Sequence, residues 1–260
     1  MPARTAFAEL HYGSVPLVLP NAWDVPSALE LREAGFRAIG TTSFGIAASR
    51  GTPDGDRATG DANLVLAAAL RPLGTLLSFD VEDGYSDDPE DVADYVTRLR
   101  VDGINIEDST AAQLIDPNVH AAKIAAIKAI SPKLFVNARV DTYWLGQDAT
   151  VSATLDRAHR YVAAGADGVF VPGASEPDVI TELAAALDRP LNVLAIPGQS
   201  PEALARLGVR RVSTGSLPYR AALRAAVDAA LAVRDGSALP PATAYQAIQA
   251  KLVGYARGEI

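Results

Sequence analysis

The stretch VAAGADGVFV, residues 162–171, closes a helical run at a glycine and enters a short β-branched run almost at once. The same phrase recurs as LREAGFRAIG (31–40), LRVDGINI (99–106) and LARLGVRRVS (204–213). Each reads as an αβ unit whose helix ends in a glycine cap. Repeated αβ units imply a parallel sheet. Filling the intervals predicts strands at 17–19, 38–41, 76–79, 103–106, 134–138, 168–171, 191–194 and 211–213. Eight strands with seven intervening helices point to an α/β fold closed as a (β/α)8 TIM barrel. An open doubly wound sheet is the rival, but it would carry a Gly-rich phosphate turn after its first strand, and LPNAWD (19–24) has none. Beyond an eighth helix at about 219–233 come a breaker-rich linker, DGSALPP, and an amphipathic helix, TAYQAIQAKLVGYA (243–256). That tail has no place inside a barrel and is expected to pack on a neighbouring subunit.

The 260 residues, 49% of them hydrophobic, match the usual length of one such barrel and are read as one domain. Twenty-three basic against 31 acidic side chains leave a net charge of −8, with no polybasic run to neutralise phosphate. Nucleic acid and membrane are therefore not expected as partners. The opening MPARTAFAELHYG has no apolar stretch of signal-peptide length, so a soluble cytoplasmic protein is expected. With no cysteine there is no disulfide, no thiolate nucleophile and no sulfur ligand for zinc.

Three of the predicted strands break off into charge. LLSF runs into Asp80, Glu82 and Asp83, INI into Glu107 and Asp108, and LFVNA into Arg139 and Asp141. Parallel strands deliver such ends to one rim, where barrels place their chemistry. Converging carboxylates raise one another's pKa, so a cluster kept ionised near neutral pH calls for a hard divalent cation, Mg²⁺ or Mn²⁺. Bland readings stand beside these. Arg139 with Asp141 would also serve as a rim salt bridge, Asp108 as a capping or supporting group, and Asp83 as a turn residue before Gly84. His11, His120 and His159 read as packing or surface residues. STGSLPYR (213–220) caps a helix as readily as it would bind phosphate, and Tyr85, Tyr143 and Tyr219 are either proton carriers or rim aromatics.

Taken in order, PNAWD, TTSFG, GTPDGD, DVEDGY, NIED, NARVDTYW, GADGVFVPG and LGVRRVSTGSLPYRAAL resemble the isocitrate lyase and phosphoenolpyruvate mutase superfamily over about residues 17–224. The resemblance implies a barrel that exchanges its last helix between subunits, a homotetramer built of such dimers, and Mg²⁺-dependent chemistry on C–C or P–C bonds beside a 2-oxo acid. By position it implies metal residues Asp80, Glu82 and Glu107. It makes Asp54 an acid on the loop after the second strand, and Arg139 the clamp on the substrate. Thr42, Ser43, Phe44 and Gly45 would hold the substrate carboxylate, while Trp23, which sits with Asp24 at the end of strand one, and Asn192 complete the candidate substrate-binding set. Arg139, Asp54 and Glu107 form the candidate catalytic set.

Two departures bear on the reaction. The family's Asp-x-Asp is Asp80-Val81-Glu82 here, and the lyase loop of the KKCGH type is replaced by STAAQLIDPN (109–118). Retro-aldol cleavage needs an acid that the family takes from the missing cysteine. Phosphonate chemistry wants cations, yet no Lys or Arg lies between Arg100 and Lys123. Loss of CO₂ from an oxaloacetate-like 2-oxo acid demands least, only chelation, an electron sink and a proton source. Decarboxylation or a related C–C cleavage is therefore the leading expectation. Behind it stand a methylisocitrate-type lyase, a phosphonopyruvate- or PEP-handling enzyme, and a metal-dependent 2-oxo acid binding protein without turnover.

Overall fold

The computed structural model describes residues 4–259. Eight parallel strands form the sheet: β1 (Leu17–Leu19, resumed at Asn21–Ala22), β2 (Ala38–Thr41), β3 (Leu76–Asp80), β4 (Gly103–Glu107), β5 (Phe135–Arg139), β6 (Gly168–Phe170), β7 (Leu191–Leu194) and β8 (Val209–Ser213). Leu17–Leu19 pairs with β8 and Asn21–Ala22 pairs with β2, so the two halves of β1 close the ring. The break falls at Pro20, which has no N–H to donate. Its carbonyl still accepts the Gly40 N–H at 2.8 Å. The expected TIM barrel is thus present.

The helices that follow the strands are α1 (Val25–Glu33), α2 (Gly60–Leu70), α3 (Pro89–Leu99), α4 (Pro117–Ile130), α5 (Val151–Ala163), α6 (Pro177–Ala186), α7 (Pro201–Arg206), α8 (Leu217–Asp235) and the tail helix α9 (Tyr245–Ala256). Strand side chains alternate between two cores, as the two-residue period requires. Leu77, Phe79, Ile104, Ile106, Val136, Ala138 and Val169 face the helices in the main apolar cluster. Leu19, Ala38 and Phe135 belong to a separate inner cluster with Phe7 of the N-terminal helix Ala6–Glu9. His11 completes this plug by stacking on Phe135, with ring centroids 4.2 Å apart.

Strand bounds differ from the sequence reading where it matters most. β3, β4 and β5 each include their first charged residue, so Asp80, Glu107 and Arg139 are held by the ladder itself. Several features went unpredicted, among them the short helices Ala6–Glu9 and Ser43–Ala48. STAAQLIDPN opens as an antiparallel hairpin, Ser109–Thr110 against Gln113–Leu114, whose tip residues Ala111 and Ala112 take positive φ of 48° and 58°. A short helix, Thr142–Leu145, follows β5.

Within the chain, α9 rests on α1. Lys251 pairs with Glu30 at 2.6 Å and also with Glu33, and the Tyr255 hydroxyl donates to the Ala69 carbonyl at 3.0 Å. Bare apolar side chains remain on α9, where Tyr245 and Ile248 are exposed, and on α8, where Leu223, Val227 and Leu231 are exposed at a four-residue spacing. Among the described residues no helix is long and apolar enough to cross a membrane.

Candidate active site

Glu107 and Arg139 are register partners at the ends of β4 and β5. Arg139 Nη1 lies 2.6 Å from Glu107 Oε2, and Nε lies 2.5 Å from Asp141 Oδ1. Burial works against the guanidinium charge, but Asp141, Glu107 and Asp80 outweigh it and raise its pKa above the ordinary value. Burial pushes the Glu107 carboxyl well above the usual carboxylate range, and the charges of Asp141, Asp80 and Asp54 add to the rise against the pull of Arg139. Asp141 is itself fixed by the Ser109 hydroxyl at 2.6 Å, and its N–H donates to Asp108 Oδ1 at 2.8 Å. Asp108 is fully buried and accepts from the Tyr161 hydroxyl at 2.7 Å and from Arg157 at 2.9 Å. Its role is support, holding Asp141 and through it Arg139.

Asp80 ends β3 beside the short helix Ser43–Ala48. Its Oδ2 accepts the Ser43 N–H at 3.2 Å and the Ser43 hydroxyl at 3.1 Å. The two donors that the resemblance assigns to a substrate carboxylate are therefore turned toward Asp80. Thr42 caps that helix, its hydroxyl accepting the Gly45 N–H at 3.5 Å. A Cβ on Gly45 would stand 2.9 Å from Thr42 Cγ2 and 3.1 Å from Trp23 Cβ, so glycine is what lets Trp23 close in. Trp23 and Phe44 both meet Tyr219 edge to face, at 5.2 and 6.0 Å. Trp23, Thr42, Ser43, Phe44 and Gly45 are thus assembled on one side of the mouth. Opposite, Trp144 lies 5.7 Å from the Arg139 guanidinium.

Glu82 is buried, with a φ of 48°. Its Oε1 accepts the Thr59 hydroxyl at 2.5 Å and its Oε2 the Arg57 N–H at 2.8 Å. Burial raises its pKa despite these bonds, and the charges of Asp80 and Asp54 raise it further. Arg57 and Tyr85 also have positive φ, 57° and 65°, so three strained non-glycine residues converge where the loop carrying Asp54 meets β3. Asp54 is exposed on its loop yet faces Ser43, Asp80 and Arg139, and partial desolvation followed by the Asp80 charge pushes its carboxyl upward.

Asp83 is more than a turn residue, which corrects the bland reading. It is buried with the Arg57 guanidinium, the Thr110 hydroxyl at 2.6 Å, and Lys123, whose Nζ donates to the Asp83 carbonyl at 2.9 Å. Burial alone would raise its pKa, yet the bonds from Arg57 and Thr110 and the Lys123 charge lower it. A signal for this was present in the sequence. His120, Lys123, Ile124 and Ile127 sit at helical spacing on the buried face of α4, so Lys123 had to find a partner inside. His120 and His11 are packing residues as expected, and burial lowers both to a pKa of about 3.

A further layer escaped the sequence reading altogether. Ser78, Asn105 and Asn137 each stand two residues before a charged strand end, hence on the same inward face as Asp80, Glu107 and Arg139. Arg211 of β8 joins them, and Asn192 of β7 lies in the same buried zone with its Nδ2 donating to Ser213 Oγ at 3.1 Å.

The donor set suits a hard cation. Neither Asp80 Oδ1 nor Glu107 Oε1 accepts a hydrogen bond among the described residues, whereas both Glu82 oxygens are taken by the loop. No three acidic or histidine side chains among the described residues close into a preformed cage. Mg²⁺ commonly uses one or two carboxylates and completes its shell with water and substrate, which matches two open oxygens.

Known proteins resemble this chain along most of its length. A Mycobacterium tuberculosis protein of uncharacterised function is 58% identical over 250 residues, covering 96% of this chain and 97% of the relative. A 2-methylisocitrate lyase of Bacillus subtilis is 32% identical over 67% of this chain and 61% of its own length. A Burkholderia cenocepacia J2315 structure of lyase/mutase type superposes with a TM-score of 0.85 at 32% identity, covering 95% of this chain and 94% of that one. The superfamily includes proteins named 2-methylisocitrate lyase and oxaloacetate decarboxylase. The phosphoenolpyruvate phosphomutase model matches residues 7–234, and with the barrel and its charged strand ends this places the chain in that family, within the isocitrate lyase and phosphoenolpyruvate mutase superfamily.

Proposed function

We propose that the chain is a Mg²⁺- or Mn²⁺-dependent enzyme that breaks the C3–C4 bond of a 2-oxo acid, one carbon removed from its ketone, with decarboxylation of an oxaloacetate-like dicarboxylate as its reaction. The observation that carries this reading is the pair of open carboxylate oxygens, Asp80 Oδ1 and Glu107 Oε1, on adjacent strands beside the Arg139 guanidinium. When bound there, a divalent cation supplies a Lewis acid that polarises the ketone and spreads enolate charge. The Nη2 side of Arg139 is left to grip a carboxylate, its other side being fixed by Glu107 and Asp141. As the C3–C4 bond breaks, CO₂ leaves and the electron pair moves onto the former ketone as an enolate, which takes a proton at C3 to give pyruvate. Asp54, with its raised pKa, carries that proton or orders the water that does. The aromatic side chains Trp23, Phe44 and Trp144 line the rim of the mouth.

The test is a side-by-side assay of oxaloacetate, methylisocitrate and phosphonopyruvate with Mg²⁺, reading pyruvate release above the metal-only rate. Oxaloacetate should be consumed fastest, and Arg139→Lys should lose roughly a hundredfold because one ammonium cannot reproduce the positioned fork. The 32% identity to a 2-methylisocitrate lyase supports a second reading, a carbon–carbon lyase whose acid is not cysteine. Faster cleavage of methylisocitrate would favour it. Tight 2-oxo acid binding with no turnover would favour a binding protein.

A further inference from the structure

We infer that Arg211, inside the barrel and outside every set of candidate site residues, is a positioning residue of this site, spanning the barrel to hold Asn105, and through it Asn137, and thereby the ends of β4 and β5 that carry Glu107 and Arg139. The inference rests on the proposed reading of those strand ends as the reactive site.

Arg211 is 1% exposed. Its ladder neighbours are β1 and β7, yet its Nη2 donates to Asn105 Oδ1 at 3.0 Å on β4, across the ring. The same Asn105 oxygen accepts Asn137 Nδ2 at 2.8 Å, joining β5 to the span. Arg211 Nε donates to Ser213 Oγ at 3.2 Å, which fixes the near end. Asn105 and Asn137 are register partners, as are Glu107 and Arg139 two residues further on, so a shift in the lower pair is transmitted to the upper pair through two residues of strand.

Stability does not account for this arrangement. Among the described residues Arg211 has no carboxylate within salt-bridge distance, and its Nη1 has no acceptor. A buried charge with no carboxylate in contact, Asp80 acting on it only at longer range, costs several kcal/mol, where the branched apolar residues usual in a barrel interior would cost nothing. The space around the network is also reserved. A Cβ on Gly168 of β6 would lie 2.8 Å from Asn137 Oδ1, so β6 gives up a side chain at the point where the Asn137 amide sits. Three strands repeat the stride of a polar residue followed two positions later by a charged one, Ser78 to Asp80, Asn105 to Glu107 and Asn137 to Arg139. A polar layer thus underlies the charged layer strand by strand, with Arg211 as its one cation.

The experiment uses the full chain with Mg²⁺ and oxalate, a planar dianion that chelates as an enolate would. Oxalate affinity is measured by calorimetry, and melting temperature in parallel, for the wild type, Arg211→Leu, Arg211→Lys and Gly168→Ala. Arg211→Leu should melt at or above the wild-type temperature while binding oxalate about 10- to 100-fold more weakly, the range found when supporting residues of a metal site are removed. Arg211→Lys should fall between the two. Gly168→Ala, which changes no charge but displaces Asn137, should also lose about tenfold. Wild-type affinity in Arg211→Leu would overturn the inference. If that variant does not fold, wild-type affinity in both Arg211→Lys and Gly168→Ala would do the same. A wild type that binds no oxalate would instead sink the proposed function. Trp144 emission in a Trp23→Phe background then reads the Arg139 position without ligand, and an emission unchanged by Arg211→Lys would overturn the positioning role.

Discussion

Asp80 and Asp83 stand three residues apart and do different work. Asp80 ends a strand with one oxygen bound by Ser43 and the other open. Asp83 is enclosed by Arg57, Thr110 and Lys123. Asp80→Asn should therefore abolish Mn²⁺ binding, read by electron paramagnetic resonance, with little change in melting temperature. Asp83→Asn should leave Mn²⁺ bound but strand the buried Lys123, at a cost of about 3 kcal/mol. Metal affinity lost equally in the two variants would remove Asp80 from the metal site. Glu82 lies between these cases. Both its oxygens serve the loop bearing Asp54, so its replacement should act on loop and metal together, and more strongly on metal than loss of Asp83 does.

The hairpin after β4 shows why some elements are legible in sequence and others are not. Strands were found because glycine caps and β-branched runs are local signals, and because buried parallel strands carry continuous apolar sequence. STAAQLIDPN has neither glycine nor alternation, so nothing in it announces a turn with two residues at positive φ. What holds it is tertiary: Leu114 N–H donates to Gln147 at 3.1 Å, Thr110 binds Asp83 and Ser109 binds Asp141. The interior polar layer was likewise hidden, because Asn105, Asn137 and Arg211 find partners on strands distant in sequence. By contrast, the charged ends Asp80, Glu107 and Arg139 could be read directly, since the strands that carry them could. The strain at Ala111 and Ala112 is testable. Ala111→Gly should relieve about 1 kcal/mol of left-handed strain, partly offset by the freedom glycine adds to the unfolded chain. Thermal denaturation should then show an unchanged or slightly higher midpoint, and a fall of several degrees would mean the turn is not strained.

For the whole molecule, two consequences follow from what is buried and what is bare. We propose that α8 and α9 take part in an interface between copies of this chain. The exposed Leu223, Val227 and Leu231 on α8 leave an apolar stripe without cover, and a cavity of about 330 Å³ lies between α1 and α9. Light scattering should find a tetramer, and truncation after Ser237 should dissociate or aggregate it. A stable full-length monomer would refute the exchange. The second consequence concerns acid. His11 and His120 are held neutral down to about pH 3, so below their ordinary pKa of about 6.5 the unfolded chain binds protons that the folded chain cannot. Each ring should contribute a loss of stability from about pH 6.5 downward that approaches about 1.4 kcal/mol per pH unit, against the opposite contribution of Glu107, whose raised pKa lets the folded chain take up its proton first. Melting curves between pH 7 and pH 5 should show the drop. His120→Leu should remove about half of the histidine contribution, and a variant that keeps the wild-type pH dependence would contradict the buried neutral state.

The central claim is that Asp80, Glu107 and Arg139 bind a divalent cation and a 2-oxo acid together and turn the acid over. The most direct measurement is pyruvate release from oxaloacetate by the full chain, with Mg²⁺ and then with EDTA, corrected for the metal-only rate. The account predicts release that stops in chelator, returns with added Mg²⁺ or Mn²⁺, and is lost in Asp80→Asn. Release that persists undiminished in EDTA, or an Asp80→Asn variant as active as the wild type, would contradict it.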